Sequence, residues 1–167
     1  MVSKGESHMD AITIRALATQ AEAEGCAHMM AHSEPWLTLG RSYPACLETI
    51  LHTDKEVFIA VVEDKVIGSI ILNMHGALVG YIQSICVAQG YRANGVGSSL
   101  LDYAETRIFA SSANVFLMVS SFNPDARRLY EKRGYGAVGE LKDFIVAGHS
   151  EILLRKTRKS AGDREPV

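Results

Sequence analysis

The stretch "GYRANGVGSSLL", Gly90 to Leu101, decides how this chain is read. Gly90, Gly95 and Gly97, with Arg92 among them, stand directly before an apolar pattern at Leu100, Leu101, Ala104, Ile108 and Phe109. That spacing marks one face of a helix. Before the glycines runs "YIQSICV", Tyr81 to Val87, a β-branched segment of strand length. A chain passing from a strand through glycines into a helix collects the unpaired N–H groups of the first helical turn, and the helix dipole adds to their attraction for negative charge. The turn therefore predicts a phosphate site. Gly95 and Gly97 let an anion approach the backbone without a Cβ in the way, and Ser98 adds a hydroxyl. Two common phosphate loops do not fit. Val96 stands where a Walker A loop needs lysine, and Leu100 stands where a dinucleotide fingerprint needs its third glycine.

Upstream of this turn, "AITIRAL" (Ala11–Leu17) alternates as a strand, and "TQAEAEGCAHMMAHS" has helical composition interrupted by Gly25. "SEPWLTLGRSYP" follows as a loop and "ACLETILH" (Ala45–His52) as a short helix. "EVFIAVVED" and "VIGSIILNMHG" form a hairpin about Asp64–Lys65, with "LVGYIQSICV" (Leu78–Val87) as the next strand. Downstream, "NVFLMVSS" (Asn114–Ser121) reads as a buried strand. "NPDARRLYEKRGY" is a well-punctuated helix: Asn123 caps it, Pro124 opens it, Asp125 lies in its first turn, Lys132 and Arg133 in its last, and Gly134 is the left-handed exit. "GAVGELKDFIV" and "EILLRKT" are two final strands separated by "AGHS". The order β–α–α–β–β–β–α–β–α–β–β makes one domain over residues 9–157, without internal repeats.

Composition bounds the function. The 167 residues are 47% hydrophobic and 22% charged with a net charge of −2, which suits a globular domain and gives no bulk affinity for nucleic acid or an anionic membrane. No apolar run reaches the ~20 residues of a membrane span. Cys26, Cys46 and Cys86 match neither a metal motif nor a disulfide framework, and His28, His32, His52 and His75 lack metal spacing, so no metal is expected. Unpaired cysteines point to a reducing, cytoplasmic setting. Residues 1–8, "MVSKGESH", resemble the start of fluorescent-protein vectors and are set aside from the fold; residues 158–167 read as a frayed tail.

Arg92-x-x-Gly95-x-Gly97 after a strand resembles the coenzyme A-binding motif of the GNAT acyltransferase superfamily, Gln/Arg-x-x-Gly-x-Gly/Ala. "NPDARRLYEKRGY" is similar to that superfamily's following motif, with Asn123, Ala126, Leu129, Tyr130, Gly134 and Tyr135 in the matching places. One helix and one strand separate the two motifs, as the superfamily requires, and the resemblance runs from Ile12 to Thr157. It implies an α/β fold: a mixed, mostly antiparallel sheet of about seven strands, flanked by four helices and splayed between strands 4 and 5. It implies direct transfer of an acetyl group from acetyl-coenzyme A, the cosubstrate, to a primary amine in a ternary complex. On that resemblance Arg92, Ala93, Asn94, Gly95, Val96, Gly97 and Ser98 hold the diphosphate, Ile85 and Val87 pair with the pantetheine arm, and Asn123 adds an amide contact beside its capping role. Tyr130 is then the acid that meets charge developing on sulfur.

The base is less direct. An α-amino group with pKa near ~8 loses its proton at neutral pH for about 1 kcal/mol, whereas a lysine at ~10.4 needs about 4–5 kcal/mol. Superfamily members that place a glutamate on the fourth strand have no counterpart in "YIQSICV". Tyr81 does match a tyrosine that N-terminal acetyltransferases carry at that strand's start, yet "FLMVSS" lacks the histidine that works with it. Water ordered by Tyr81, Gln83 or Ser84, or a side chain of "GHSEI", His149 or Glu151, are the remaining routes for the proton. Trp36, Gln83 and Ser84 are expected along the acceptor pocket. Cys86 has no neighbouring histidine to activate it and is read as packing. A small-molecule amine, a protein N-terminus and a lysine remain open as acceptors, as do monomer and homodimer. The alternative of another class is an acyl-coenzyme A sensor that keeps the cradle without chemistry.

Overall fold

Residues 11–158 are described by a computed structural model. Strict alternation along β2 (Lys55–Val62) divides the core between two layers. Val57, Ile59 and Val61 enter one apolar cluster, while Phe58, Ala60 and Val62 enter the other. β3 (Lys65–Asn73) is buried without a break from Ile67 to Leu72, as a central strand covered on both faces must be. β1 (Thr13–Ala16), β4 (Tyr81–Val87), β5 (Asn114–Ser120), β6 (Gly136–Lys142) and β7 (Ser150–Thr157) complete a seven-stranded sheet in the order β1-β2-β3-β4-β5-β7-β6. Every neighbouring pair is antiparallel except β4 with β5.

α1 (Gln20–Ala31) and α2 (Tyr43–Leu51) cover one face through Ala23, Cys26, Met30, Cys46 and Ile50. α3 (Val96–Phe109) covers the other through Val96, Leu100, Leu101, Ala104 and Ile108, joined by Tyr130 of α4 (Pro124–Lys132). Thr19 and Glu22 form a capping box at the start of α1, and Arg15 reaches from β1 to Glu22 at 2.6 Å. The helix runs through Gly25, which lies on its exposed side. Asn123 caps α4 by accepting from the Ala126 N–H at 3.3 Å, and Gly134 leaves it at φ +91°. The far end of α4 is braced by the buried carboxylate of Glu105 on α3, which accepts from the Tyr135 hydroxyl at 3.0 Å and from Lys156 Nζ of β7 at 2.6 Å.

Several boundaries differ from the sequence reading. α2 begins at Tyr43, because Ser42 caps it and Pro44 fits its first turn. β4 begins at Tyr81 instead of Leu78, because Gly80 adopts φ +85° and turns the chain just before it. β6 stops at Lys142, where Asp143 takes φ +51°, so Phe144 and Ile145 belong to a loop. Arg158, read as the first residue of a frayed tail, donates to the Phe109 carbonyl at 2.9 Å. The vector-like opening and the rest of that tail lie outside the described residues. Among the described residues no helix is long and apolar enough to cross a membrane.

Candidate active site

The site begins where β4 and β5 part. They touch only at their N-terminal ends, Tyr81 beside Phe116 and Ile82 beside Leu117, with the Phe116 N–H donating to the Gly80 carbonyl at 2.9 Å. Gly80 makes this vertex possible: a Cβ there would lie 2.6 Å from both the Asn114 carbonyl oxygen and Ile108 Cγ2. Beyond Ile82 the strands diverge. On the β3 side, Ala88 N–H donates to the Ile67 carbonyl at 2.8 Å, so Val87·Gly68 and Ile85·Ile70 are the non-hydrogen-bonded pairs of that ladder. The N–H and C=O groups of Ile85 and Val87 therefore point away from β3, into the gap that β5 has left. One of the four is already engaged, since Arg92 Nε donates to the Val87 carbonyl at 3.1 Å.

The glycine turn lies at the outer end of this gap. Gly95 is the N-cap of α3 at φ +80°, a left-handed position where L side chains cost about 1–2 kcal/mol, and no side chain caps the helix. The amides of its first turn are thus left to a ligand. Ala93 is also left-handed at φ +61°, Asn94 is exposed, and Ser98 is half-buried. Arg92 and Gly97 line the cleft, whereas the Val96 side chain is buried in the core and offers only its backbone.

Inside the gap a β-bulge sorts the β4 side chains. Ile71 pairs with Ser84 and Leu72 with Ile82, which leaves Gln83 as an extra residue. Ile82, Ile85 and Val87 consequently face the α3 layer, while Tyr81, Gln83 and Ser84 all line the opposite side. In a regular strand Gln83 and Ser84 would point to opposite faces. Two cavities meet at these residues. One of about 530 Å³ runs along the open edge past Asn123, Ala126, Leu129 and Tyr130 to Glu151. The other, of about 790 Å³, lies under α1 and α2. Trp36, Met118, Phe144 and Ile145 border both.

Tyr130 and Glu151 bring a phenol and a carboxylate to the cleft along the open edge. Tyr130 is buried edge-on against Tyr135, and burial pushes its phenol up to about 12, so it keeps its proton at neutral pH. Glu151 is only 5% exposed and lines the cleft, with its Oε1 accepting from the Ser120 hydroxyl at 2.7 Å across β5 and β7. The Tyr81 phenol is raised as well, by burial first and then by the charge of Glu151. His149 does not line either cavity; its ring packs edge-on against Phe122 with centroids 4.9 Å apart. Cys86 lines the cleft, but burial pushes its thiol up to about 12, far from a reactive thiolate. Trp36 serves two ends, packing on the α1–α2 cluster while forming cavity wall.

Sequence reasoning missed Met118, Ser120, Arg41, Phe144 and Ile145. Strand period was the available signal for Met118, since Val115, Leu117 and Val119 fill the α3 core and Met118 must face away. Among the described residues no group of three or more His, Cys, Asp or Glu could hold a metal.

Comparison with known proteins agrees with this geometry. An N-alpha-acetyltransferase of Saccharolobus solfataricus is 28% identical over 136 residues, spanning 72% of this chain and 81% of its own. An aminoglycoside 6'-N-acetyltransferase solved with coenzyme A superposes with a TM-score of 0.72 at 17% identity, covering 90% of this chain and 99% of that one. The ribosomal-protein-S18-alanine N-acetyltransferase of Escherichia coli superposes with a TM-score of 0.71 at 19% identity, covering 94% and 100%. The sequence model of the acetyltransferase (GNAT) family matches residues 19–135, from the capping box of α1 to the tyrosine that follows α4. With the splayed strands and the uncapped third helix accounted for by the same assignment, the chain belongs to the GNAT acetyltransferase family.

Proposed function

We propose that the protein transfers an acetyl group from acetyl-coenzyme A to a primary amine by direct attack in a ternary complex. The observation that carries this reading is the row of main-chain groups at Ile85 and Val87, turned into a gap that leads to both Tyr130 and Glu151. Such groups are costly to leave unpaired, and an amide-bearing arm laid along them as an extra strand satisfies them. The cradle fits coenzyme A: uncapped amides after Gly95 for the diphosphate, an open strand edge for pantetheine, and a phenol and a carboxylate at the inner end. The coenzyme A bound to the aminoglycoside enzyme of the same fold supports the cosubstrate.

Acetyl-coenzyme A supplies the acetyl thioester. Burial keeps the Tyr130 phenol protonated, so it can donate a hydrogen bond to the departing sulfur as negative charge develops there. Glu151, oriented by Ser120, receives a proton from the attacking amine, directly or through a water near Tyr81 and Gln83. The bulge at Gln83 turns both Gln83 and Ser84 to the side of the strand that borders the cavity under α1 and α2. A covalent route through Cys86 is disfavoured, because its thiol stays protonated.

The test is release of coenzyme A over a panel of amines. Tyr130→Phe keeps the ring packing and should lower kcat about 100-fold while leaving acetyl-coenzyme A affinity unchanged. Glu151→Gln should lower kcat/KM by a similar factor at neutral pH and recover as pH rises past the amine's own pKa. Turnover unaffected by both substitutions would overturn the assignment.

A further inference from the structure

The cavity under α1 and α2 has the size of a small-molecule site, about 790 Å³ against a usual range of about 300–1,000 Å³. Its lining is unusual in charge. Apolar wall comes from Met30, Trp36, Leu39, Leu78, Met118 and Phe144, and none of the lining residues is aspartate or glutamate. Arg41, itself solvent-exposed, supplies the one permanent charge among the described lining residues. No acidic side chain among the described residues pairs with its guanidinium, and it is held on the α1–α2 loop by its N–H, which donates to the Trp36 carbonyl at 2.9 Å. Among the described residues Glu34, Asp125 and Glu151 are the acidic residues lining the neighbouring cleft, and of these Glu151 alone is buried.

We infer that the acceptor is a monoamine with an apolar body and one anionic group, for which Arg41 is the counter-ion; this rests on the transferase reading above. One buried carboxylate, Glu151, would face the single reacting amine. A second ammonium on the acceptor would enter a cavity whose described lining offers no carboxylate to pair with it, and would meet Arg41 besides. Aminoglycosides and polyamines are therefore rejected. A carboxylate on the acceptor instead turns the unpaired guanidinium into a bidentate partner. A free apolar α-amino acid and the start of a peptide with an acidic second residue share this chemistry.

The experiment compares matched acceptors with the whole chain. Coenzyme A release is followed with L-phenylalanine against L-phenylalaninamide, with Met-Asp against Met-Lys peptides, and with spermidine and kanamycin. Calorimetry measures each acceptor's binding independently of turnover. The anionic member of at least one pair should bind and react about tenfold better than its partner, with the polycations inert. The two pairs tell free amino acid from peptide. Arg41→Glu should reverse the preference while leaving acetyl-coenzyme A binding, and so the fold, unchanged. Polycations as the best acceptors, or a preference indifferent to Arg41→Glu and Arg41→Gln, would overturn the inference while leaving the transferase standing. Absence of transfer to every amine would overturn both.

Discussion

The two arms of the site are built in opposite ways. On the proposed function the donor arm would come from three short segments, Ile85–Val87, Arg92–Ser98 and Asn123–Tyr130, and would work largely through main-chain groups of an open strand edge and an uncapped helix end. The acceptor arm is assembled from side chains scattered along the chain, among them Trp36, Arg41, Cys46, Asn73, Leu78, Met118 and Phe144. A cosubstrate shared by many enzymes can be held by backbone, which any sequence of the fold presents. An acceptor particular to one enzyme must be read by side chains, which can change without disturbing the sheet. The bulge at Gln83 is the seam, because Tyr81, Gln83 and Ser84 border both cavities while the main-chain groups of Ile85 and Val87 face the gap alone.

Three substitutions sharpen that division. The largest effect is expected at the vertex that both arms share. Gly80→Ala forces a Cβ to within 2.6 Å of backbone and core at φ +85°, and should cost about 3 kcal/mol in urea unfolding while weakening both substrates together. A change under about 0.5 kcal/mol would mean that the strands are not pinned there. Gly95→Ala addresses the donor arm alone. Its left-handed φ of +80° should raise the KM for acetyl-coenzyme A about tenfold and leave the acceptor's KM unchanged. Equal increases in both would erase the distinction between the arms. The smallest effect belongs to Glu22, outside either arm. Its carboxyl is held down to about 2, by Arg15 first and then by the Ala18 amide. A depressed carboxyl stabilises above its unfolded pKa and loses that contribution as pH falls through its folded one. Wild type should therefore exceed Glu22→Gln in stability, by less than about 1 kcal/mol, above pH about 4.5, with the difference fading toward pH 2. A difference that grows on acidification would reverse the sign of this account.

The same contrast explains what could be read in the amino-acid sequence. The local geometry of Gly90–Leu101 and Asn123–Tyr135, on which the proposed donor arm rests, was legible because caps, left-handed glycines and helix starts are local and leave fixed residue types at fixed offsets. The succession of strands and helices along the chain followed from hydrophobic period and turn residues, whereas the mixed, splayed sheet followed only from the family resemblance. The bulge was harder, although the three-residue spacing between Ile82 and Ile85, both facing the α3 layer, was its trace. Phe144 and Ile145 were absorbed into a strand, since apolar residues of a loop over a cleft look like strand residues until Asp143 and Gly148 are seen to close the turn, the Gly148 N–H donating to Asp143 Oδ1 at 2.6 Å. Glu151 and His149 could not be separated in one dimension. Only the pairing of β7 with β5 turns Glu151 toward Ser120 and leaves His149 on Phe122. Arg41 gave no local sign, because its meaning lies in the lack of carboxylates among residues far from it in sequence.

The most direct measurement is a calorimetric titration of the protein with acetyl-coenzyme A in the absence of any amine. An open strand edge leading from an uncapped helix to a neutral phenol should give saturable one-to-one binding with a Kd below about 1 mM, weakened by Gly95→Ala and untouched by Tyr130→Phe. No saturable heat at several-millimolar ligand would contradict the donor site, and with it the chemistry assigned to Tyr130 and Glu151.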